Sequence, residues 1–190
     1  MSPNSPLIPE WTIEQAIPED AAQTAEFHSE SFRRTYLKPN ENHDPEIEEH
    51  NRQVIEKATE LVSLNRIQNR ADFIDKAVQE PSIRFYYLAT REDNQPIGLI
   101  YGEIDKEKDT QEIVALYVDE KYHGKGVAQA LVNEFIEWAD PTKPIELGVY
   151  KENERAKRFY AKMGFEALKD DRPSHFKFLP ETTMIRKGTK

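Results

Sequence analysis

Two groups of residues in this sequence have the types and spacing to do chemistry. The first is the run His123-Gly124-Lys125-Gly126-Val127-Ala128, which lies between a β-branched segment and a long amphipathic one. Its two glycines permit a sharp turn and leave backbone N–H groups uncovered where a helix starts. Those donors and the helix dipole make a seat for a phosphorylated ligand, with Lys125 and His123 adding charge or hydrogen bonds at the rim. The run is neither G-x-x-x-x-G-K-[ST] nor G-x-G-x-x-G, so ATP-dependent and hydride-transfer chemistry lose their main support. A plain strand-to-helix turn is the competing reading. The second group is the strand carboxylates Glu103 and Glu112. Each is a candidate general base, acting directly or through water, and each equally suits a solvated strand face.

Composition removes other chemistries. The chain has 190 residues and no cysteine, which excludes a thiolate nucleophile, a disulfide framework and a Cys-ligated zinc site together. His28, His43, His50 and His175 show no ligand spacing with a carboxylate partner, so no metal is assigned. Residues 1–150 carry 15 basic and 29 acidic side chains, whereas residues 151–190 carry 11 and 6. An acidic body repels a phosphate backbone, so nucleic acid is not an expected partner. No stretch approaches the roughly 20 apolar residues needed to span a bilayer. Residues 1–10 read as a Pro-rich flexible tail without the n- and h-regions of a signal peptide, and a cytoplasmic protein is expected.

The elements that must position these groups follow from periodicity. Residues 11–17 alternate as a strand. Ala21, Ala25, His28, Phe32 and Tyr36 then fall on one helical face after a Pro18 entry. Residues 38–80 form a helical insert with two short apolar stripes and a break expected between Asn65 and Asn69. Its acidic surplus near 41–60 either attracts a cation or is a solvated helix face. Residues 83–91 and 96–104 read as a hairpin, and 111–118 as a further strand. A helix over 128–139 and a strand over 145–150 complete a βαβ unit with parallel strands. Asn153 caps a short helix that Gly164 closes, and 165–168 and 175–186 are the last strands. The result is one α/β domain, 11–187, around a mixed sheet.

The segment Val118 to Leu131, with His123, Gly126 and Ala128 at its key positions, resembles the acetyl-CoA motif of the GNAT N-acetyltransferase superfamily. Asn153-Glu154-Arg155-Ala156-Lys157-Arg158-Phe159-Tyr160-Ala161-Lys162-Met163-Gly164-Phe165 resembles that family's N-x-x-A-x-x-F-Y-x-x-x-G-F block. Residues 13–22 resemble its first strand and helix. Nearest in look are bacterial PaiA-type polyamine acetyltransferases, through Ser31 to Tyr36, Leu147 to Asn153 and His175-Phe176. His123 departs from the Gln or Arg usual at its position.

The resemblance implies a seven-stranded, mostly antiparallel GNAT sheet flanked by helices, with acetyl-CoA as co-substrate. It implies pyrophosphate held by the backbone of residues 123–128, and pantetheine held by backbone groups of Leu116, Tyr117 and Val118. Tyr160 becomes the general acid for the departing thiolate; by spacing alone it would be a core aromatic. Asn153 either bonds the cofactor or only caps its helix. Tyr36, Tyr101 and Glu103 are placed at the acceptor pocket. Without cysteine no cysteinyl acyl-enzyme can form, so direct transfer in a ternary complex is expected. The acceptor that the resemblance implies is a primary amine such as spermidine or spermine. The rivals are a peptide or protein N-terminal acetyltransferase and a catalytically idle acyl-CoA-binding module. A homodimer is common in the family.

Overall fold

The computed structural model describes residues 11–107, 109–168 and 178–189. Strand β1 (Trp11–Gln15) leads through a short 3₁₀ turn at Pro18–Asp20 into helix α1 (Ala21–Tyr36). Ala21, Ala25, His28 and Phe32 are buried on its inner face, as the spacing predicts. Helix α2 (Pro45–Leu61) starts with Pro45 behind Asp44, whose carboxylate accepts from the Glu46 N–H at 2.8 Å. Helix α3 (Leu64–Gln79) starts on Ser63, whose hydroxyl accepts from the Arg66 N–H at 3.3 Å. The break expected between Asn65 and Asn69 therefore falls earlier, at Val62-Ser63. The serine cap decides it, and the polar run after it continues as an exposed helical turn.

The remaining elements are β2 (Arg84–Arg91), β3 (Pro96–Asp105), β4 (Thr110–Val118), α4 (Val127–Trp138), β5 (Ile145–Tyr150), α5 (Glu154–Lys162), β6 (Glu166–Ala167) and β7 (Glu181–Arg186). The last strand was expected from residue 175. Its described part begins at Glu181, and His175 and Phe176 lie outside the described residues. The strands form one seven-stranded sheet in the order β1-β2-β3-β4-β5-β7-β6. Every pairing is antiparallel except that of β4 with β5, as the βαβ reading requires. Helices α4 and α5 cover one face over a core that includes Phe85, Ile113, Leu131 and Phe135. Helices α1 to α3 cover the other, over Tyr86, Leu99, Ile74 and Phe32.

Two irregularities in β4 position everything that follows. Tyr101 pairs with Ala115 but Gly102 pairs with Ile113, so Val114 is an extra residue. That bulge inverts the alternation of faces. Ile113 packs toward α4, Ala115 and Tyr117 toward α1 and α3, and Leu116 and Val118 again toward α4. The second irregularity is that β4 and β5 pair only through Gln111, Glu112 and Ile113 with Ile145, Glu146 and Leu147. Beyond Ile113 the two strands diverge.

Gly102 sits opposite the bulge. A Cβ there would lie 2.2 Å from the Glu112 carbonyl oxygen and 2.5 Å from the Phe135 ring. Gly102→Ala must displace either backbone or the α4 anchor, and overpacking of that kind costs about 1–3 kcal/mol. The urea midpoint of this variant is expected to fall accordingly, with an unchanged m-value.

Candidate active site

Divergence of β4 from β5 exposes a polar edge. The Asp119 N–H donates to the Ile97 carbonyl at 2.8 Å, which fixes the phase of the β3–β4 ladder. Tyr117 then exchanges its backbone bonds with Leu99, while the N–H and C=O of Leu116 and Val118 face the opposite edge, where β5 has turned away. Leu116 and Val118 thus present backbone groups to the gap. Tyr117 does not: its backbone is committed to β3, and it contributes a side chain instead.

This edge forms one wall of a cleft of about 460 Å³. The turn before α4 forms its mouth, and Asn153, Arg155, Ala156, Phe159 and Tyr160 of the α5 segment form the opposite wall. Gly124 and Gly126 have φ of 76° and 87°, in the left-handed region. Gly126 caps α4 without any side-chain hydrogen bond, and the first return bond runs from the Ala130 N–H to the Gly126 carbonyl. The N–H groups of Val127, Ala128 and Gln129 have no intrahelical acceptor, and these residues line the cleft. Among the described residues, chain neighbours aside, no atom lies within 4 Å of where a Cβ would stand on either glycine. The mouth is therefore an open, donor-rich helix N-terminus, with the chemistry of a phosphate seat.

His123 ties this mouth together. Its Nε2 lies 3.1 Å from the Val118 carbonyl oxygen, and its Nδ1 contacts the Arg155 guanidinium. A guanidinium only donates, so Nδ1 accepts and the proton resides on Nε2, donating to Val118. One side chain thus links the end of β4 to α5. Asn153 Oδ1 accepts from the Ala156 N–H at 3.0 Å, so Asn153 caps α5 while also lining the cleft.

Tyr160 is 7% exposed, and its ring packs against Phe159 and Phe165 at 5.1 and 5.6 Å. Burial, with Tyr36 nearby, pushes its phenol well above the ordinary value, so it stays a proton donor at neutral pH. The phenols of Tyr36 and Tyr117 lie close enough to act on each other, and burial raises both. Tyr117 borders the cleft on one side and a second cavity on the other.

That cavity, about 380 Å³, lies on the α1–α3 face against the bulge and is lined by Val114, Ala115, Tyr101, Tyr86, His28 and Arg70 among others. The His28 ring packs at 4.5 Å, tilted, against Tyr117, and its Nδ1 accepts from Arg70 Nη2 at 3.0 Å. Burial first, then Arg70 and Lys57, hold its imidazole well below the ordinary 6.5. The unfolded chain binds this proton below about pH 6.5 and the folded chain does not, so stability is complete above that pH and falls below it. Chemical denaturation between pH 7 and 5 is expected to show a midpoint that falls with acid. In His28→Gln much of that fall should vanish.

The cleft brings together Tyr36, Leu116, Tyr117, Val118, His123, Gly124, Gly126, Val127, Ala128, Asn153 and Tyr160. Lys125 is not in its lining; its Nζ stands 4.9 Å over the Tyr122 ring. Tyr101 lines the cavity on the other face, where burial raises its phenol to about 12. Glu103 and Glu112 line neither space. They are paired across strands further along that face, and Glu103 accepts from Arg84 Nη1 at 3.2 Å. Within the 41–60 segment, Glu49 and Glu56 are exposed and pair with Arg52 on α2, so this acid is a solvated helix face. Tyr122, Arg155 and the Arg70–His28–Tyr86 set were not anticipated. Arg70 left a trace in the sequence, since it lies on the Ile67–Ile74 apolar stripe of α3.

Among the described residues, no helix is long and apolar enough to cross a membrane. Nor, among them, are three His, Asp or Glu residues grouped to hold a metal ion.

The sheet thus splays between its parallel strands, with a helix N-terminus that no side chain caps at the mouth of the gap. The sequence matches the Acetyltransferase (GNAT) family over residues 50–165, and the chain belongs to that family. An uncharacterized N-acetyltransferase of Mycobacterium bovis is 38% identical over 84 residues, 42% of this chain and 51% of that protein. One of Methanocaldococcus jannaschii is 31% identical over 81 residues, 39% of this chain and 36% of that protein. The match thus spans about half of one curated relative's length and about a third of the other's. Among solved structures, the PaiA N-acetyltransferase of Thermoplasma acidophilum in complex with coenzyme A superposes with a TM-score of 0.68. It is 21% identical, over 93% of this chain and 98% of that one, a likeness of fold.

Proposed function

We propose that this protein transfers an acetyl group from acetyl-CoA directly to a primary amine. The observation that carries the reading is the backbone edge of Leu116 and Val118, freed by strand divergence. It runs from the unsatisfied N-terminus of α4 to the buried Tyr160 hydroxyl. The donor set suits acetyl-CoA at both ends: amides of Val127, Ala128 and Gln129 for its phosphates, and strand amides for its pantetheine. When bound, that co-substrate supplies an activated thioester carbonyl.

The chain's own groups then divide the work. An amide of the β4 edge near Val118 donates to the carbonyl oxygen and stabilises the charge that develops there as the amine nitrogen bonds to carbon. Tyr160 donates its proton to the departing sulfur as the carbon–sulfur bond breaks. The amine enters through the cavity beyond Tyr117. His28 is not the base, because its one acceptor nitrogen is taken by Arg70. We assign deprotonation of the amine to Glu112 or Glu103, acting through water. Both carboxylates act electrostatically on Tyr101 in the cavity wall, which supports placing them on the acceptor side.

Spermidine or spermine is the acceptor suggested by the PaiA-like segments. The described lining of the cavity weighs against a polycation, since it includes Lys57, Arg66 and Arg70 beside the single carboxylate Glu181. Free-thiol release from acetyl-CoA, followed with polyamines, amino acids and short peptides, tests the reading, and a chain without cysteine gives no background. Release that depends on a small primary amine is expected. Release with peptides alone would make the protein an N-terminal acetyltransferase. Coenzyme A binding without release across the panel would make it an idle binding module.

A further inference from the structure

The cavity on the α1–α3 face holds a charge for which the transfer scheme has no task. Arg70 projects from the inner stripe of α3. Its Nη1 donates to the Tyr86 hydroxyl at 2.6 Å and its Nη2 to His28 Nδ1 at 3.0 Å. Its Nε–H is buried and has no acceptor among the described residues. Both partners are neutral: burial keeps the Tyr86 phenol protonated and the His28 imidazole uncharged. A guanidinium withdrawn from water ordinarily sits against a carboxylate, because desolvation is otherwise uncompensated. Glu181 is the one carboxylate in the described lining, against Lys57, Arg66 and Arg70, and the other acids nearby have partners of their own. Glu60 serves both Lys57 and Arg66, Glu103 serves Arg84, and Asp72 accepts from Gln68. Lys57 and Arg66 themselves add to the positive lining.

The geometry is that of an anion seat with its anion supplied from outside. The guanidinium is fixed by two neutral acceptors, which take two of its five N–H donors. The walls are the aromatic rings of Phe73, Tyr86 and Tyr101, with Tyr86 and Tyr101 stacked at 5.3 Å. Tyr117, at the far side, is the partition from the cleft. We infer that the acceptor is a small amine that also carries a carboxylate, its carboxylate held by Arg70 and its amine directed past Tyr117 toward the cleft. A volume of about 380 Å³ suits an amino-acid-sized molecule. This inference rests on the acetyl-transfer reading for the reaction, and on the cavity alone for the binding preference.

Matched pairs of amines separate the two. Thiol release from acetyl-CoA is measured with putrescine against ornithine, cadaverine against lysine, and phenethylamine against phenylalanine. The carboxylate-bearing member of at least one pair is expected to have a kcat/KM about tenfold or more higher. Arg70→Gln, which keeps hydrogen-bonding capacity toward His28 and Tyr86, should bring that ratio close to one. Amines preferred over their carboxylate partners, with a ratio unmoved by Arg70→Gln, would overturn the inference and leave the transfer reading intact. The binding arm needs neither turnover nor a variant. Calorimetry on protein saturated with coenzyme A should show benzoate binding more tightly than benzylamine, and the reverse order would overturn the inference. No thiol release with any amine would overturn the transfer reading, and benzoate against benzylamine would still decide the role of Arg70.

Discussion

Replacing Tyr160 with phenylalanine is expected to lower turnover of acetyl-CoA with its amine by about 100-fold, about 2.7 kcal/mol of transition-state stabilisation. Affinity for coenzyme A should stay within about threefold of the parent. The ring of Tyr160 is packed against Phe159 and Phe165, and phenylalanine preserves that packing, so the variant removes only the hydroxyl. Its phenol is raised by burial and by Tyr36, which keeps the proton in place at neutral pH. Two other results would be informative. Loss of coenzyme A binding together with turnover would make Tyr160 a packing residue of the α5 wall. Unchanged turnover would place the proton donor elsewhere, with the Tyr36–Tyr117 pair the next group to test.

Gly126→Val should have the next largest effect. Gly126 has φ of 87°, a conformation that a β-branched residue adopts only under strain of about 1–3 kcal/mol. Among the described residues, chain neighbours aside, no atom lies within 4 Å of the new Cβ position, so the cost is in the backbone and not in a collision. The chain relieves it most readily by shifting the first turn of α4, which carries the three unsatisfied amides. The dissociation constant for coenzyme A, measured by calorimetry, is expected to rise about 30-fold, close to 2 kcal/mol. Gly126→Asn, which tolerates the left-handed region, should show a smaller rise. A dissociation constant within twofold of the parent in Gly126→Val would mean that the amides of α4 are not the seat.

What the sequence revealed and what it hid follow one physical division. Stripes such as Leu131, Val132 and Phe135, the Asn153 cap and the glycine turn are local signals. Each requires only neighbours within a few residues, and each element appears close to where its pattern places it. The splay between β4 and β5, the bulge at Val114 and the ladder phase that turns Tyr117 toward β3 depend on pairing between distant segments. Single-strand alternation does not encode that pairing. This is why Tyr117 was expected to offer backbone groups and instead offers a side chain. It is also why Glu103 and Glu112 could be named from their strands but not located relative to the cleft. The α2–α3 break was misplaced because one serine hydroxyl outweighed a longer polar run. Arg70 gives no clear signal, because a charged residue within an apolar stripe reads as a fault in the pattern, when it marks a polar cluster with His28 and Tyr86.

The account rests most heavily on the claim that the helix α4 N-terminus and the freed β4 edge together seat the co-substrate. Amide resonances of the ¹⁵N-labelled protein, followed during titration with coenzyme A, test that claim residue by residue. The largest shifts are expected at Leu116 and Val118 on β4 and at Gly126, Val127, Ala128 and Gln129 at the mouth. Shifts confined to another surface, with these six amides unmoved at saturation, would contradict it.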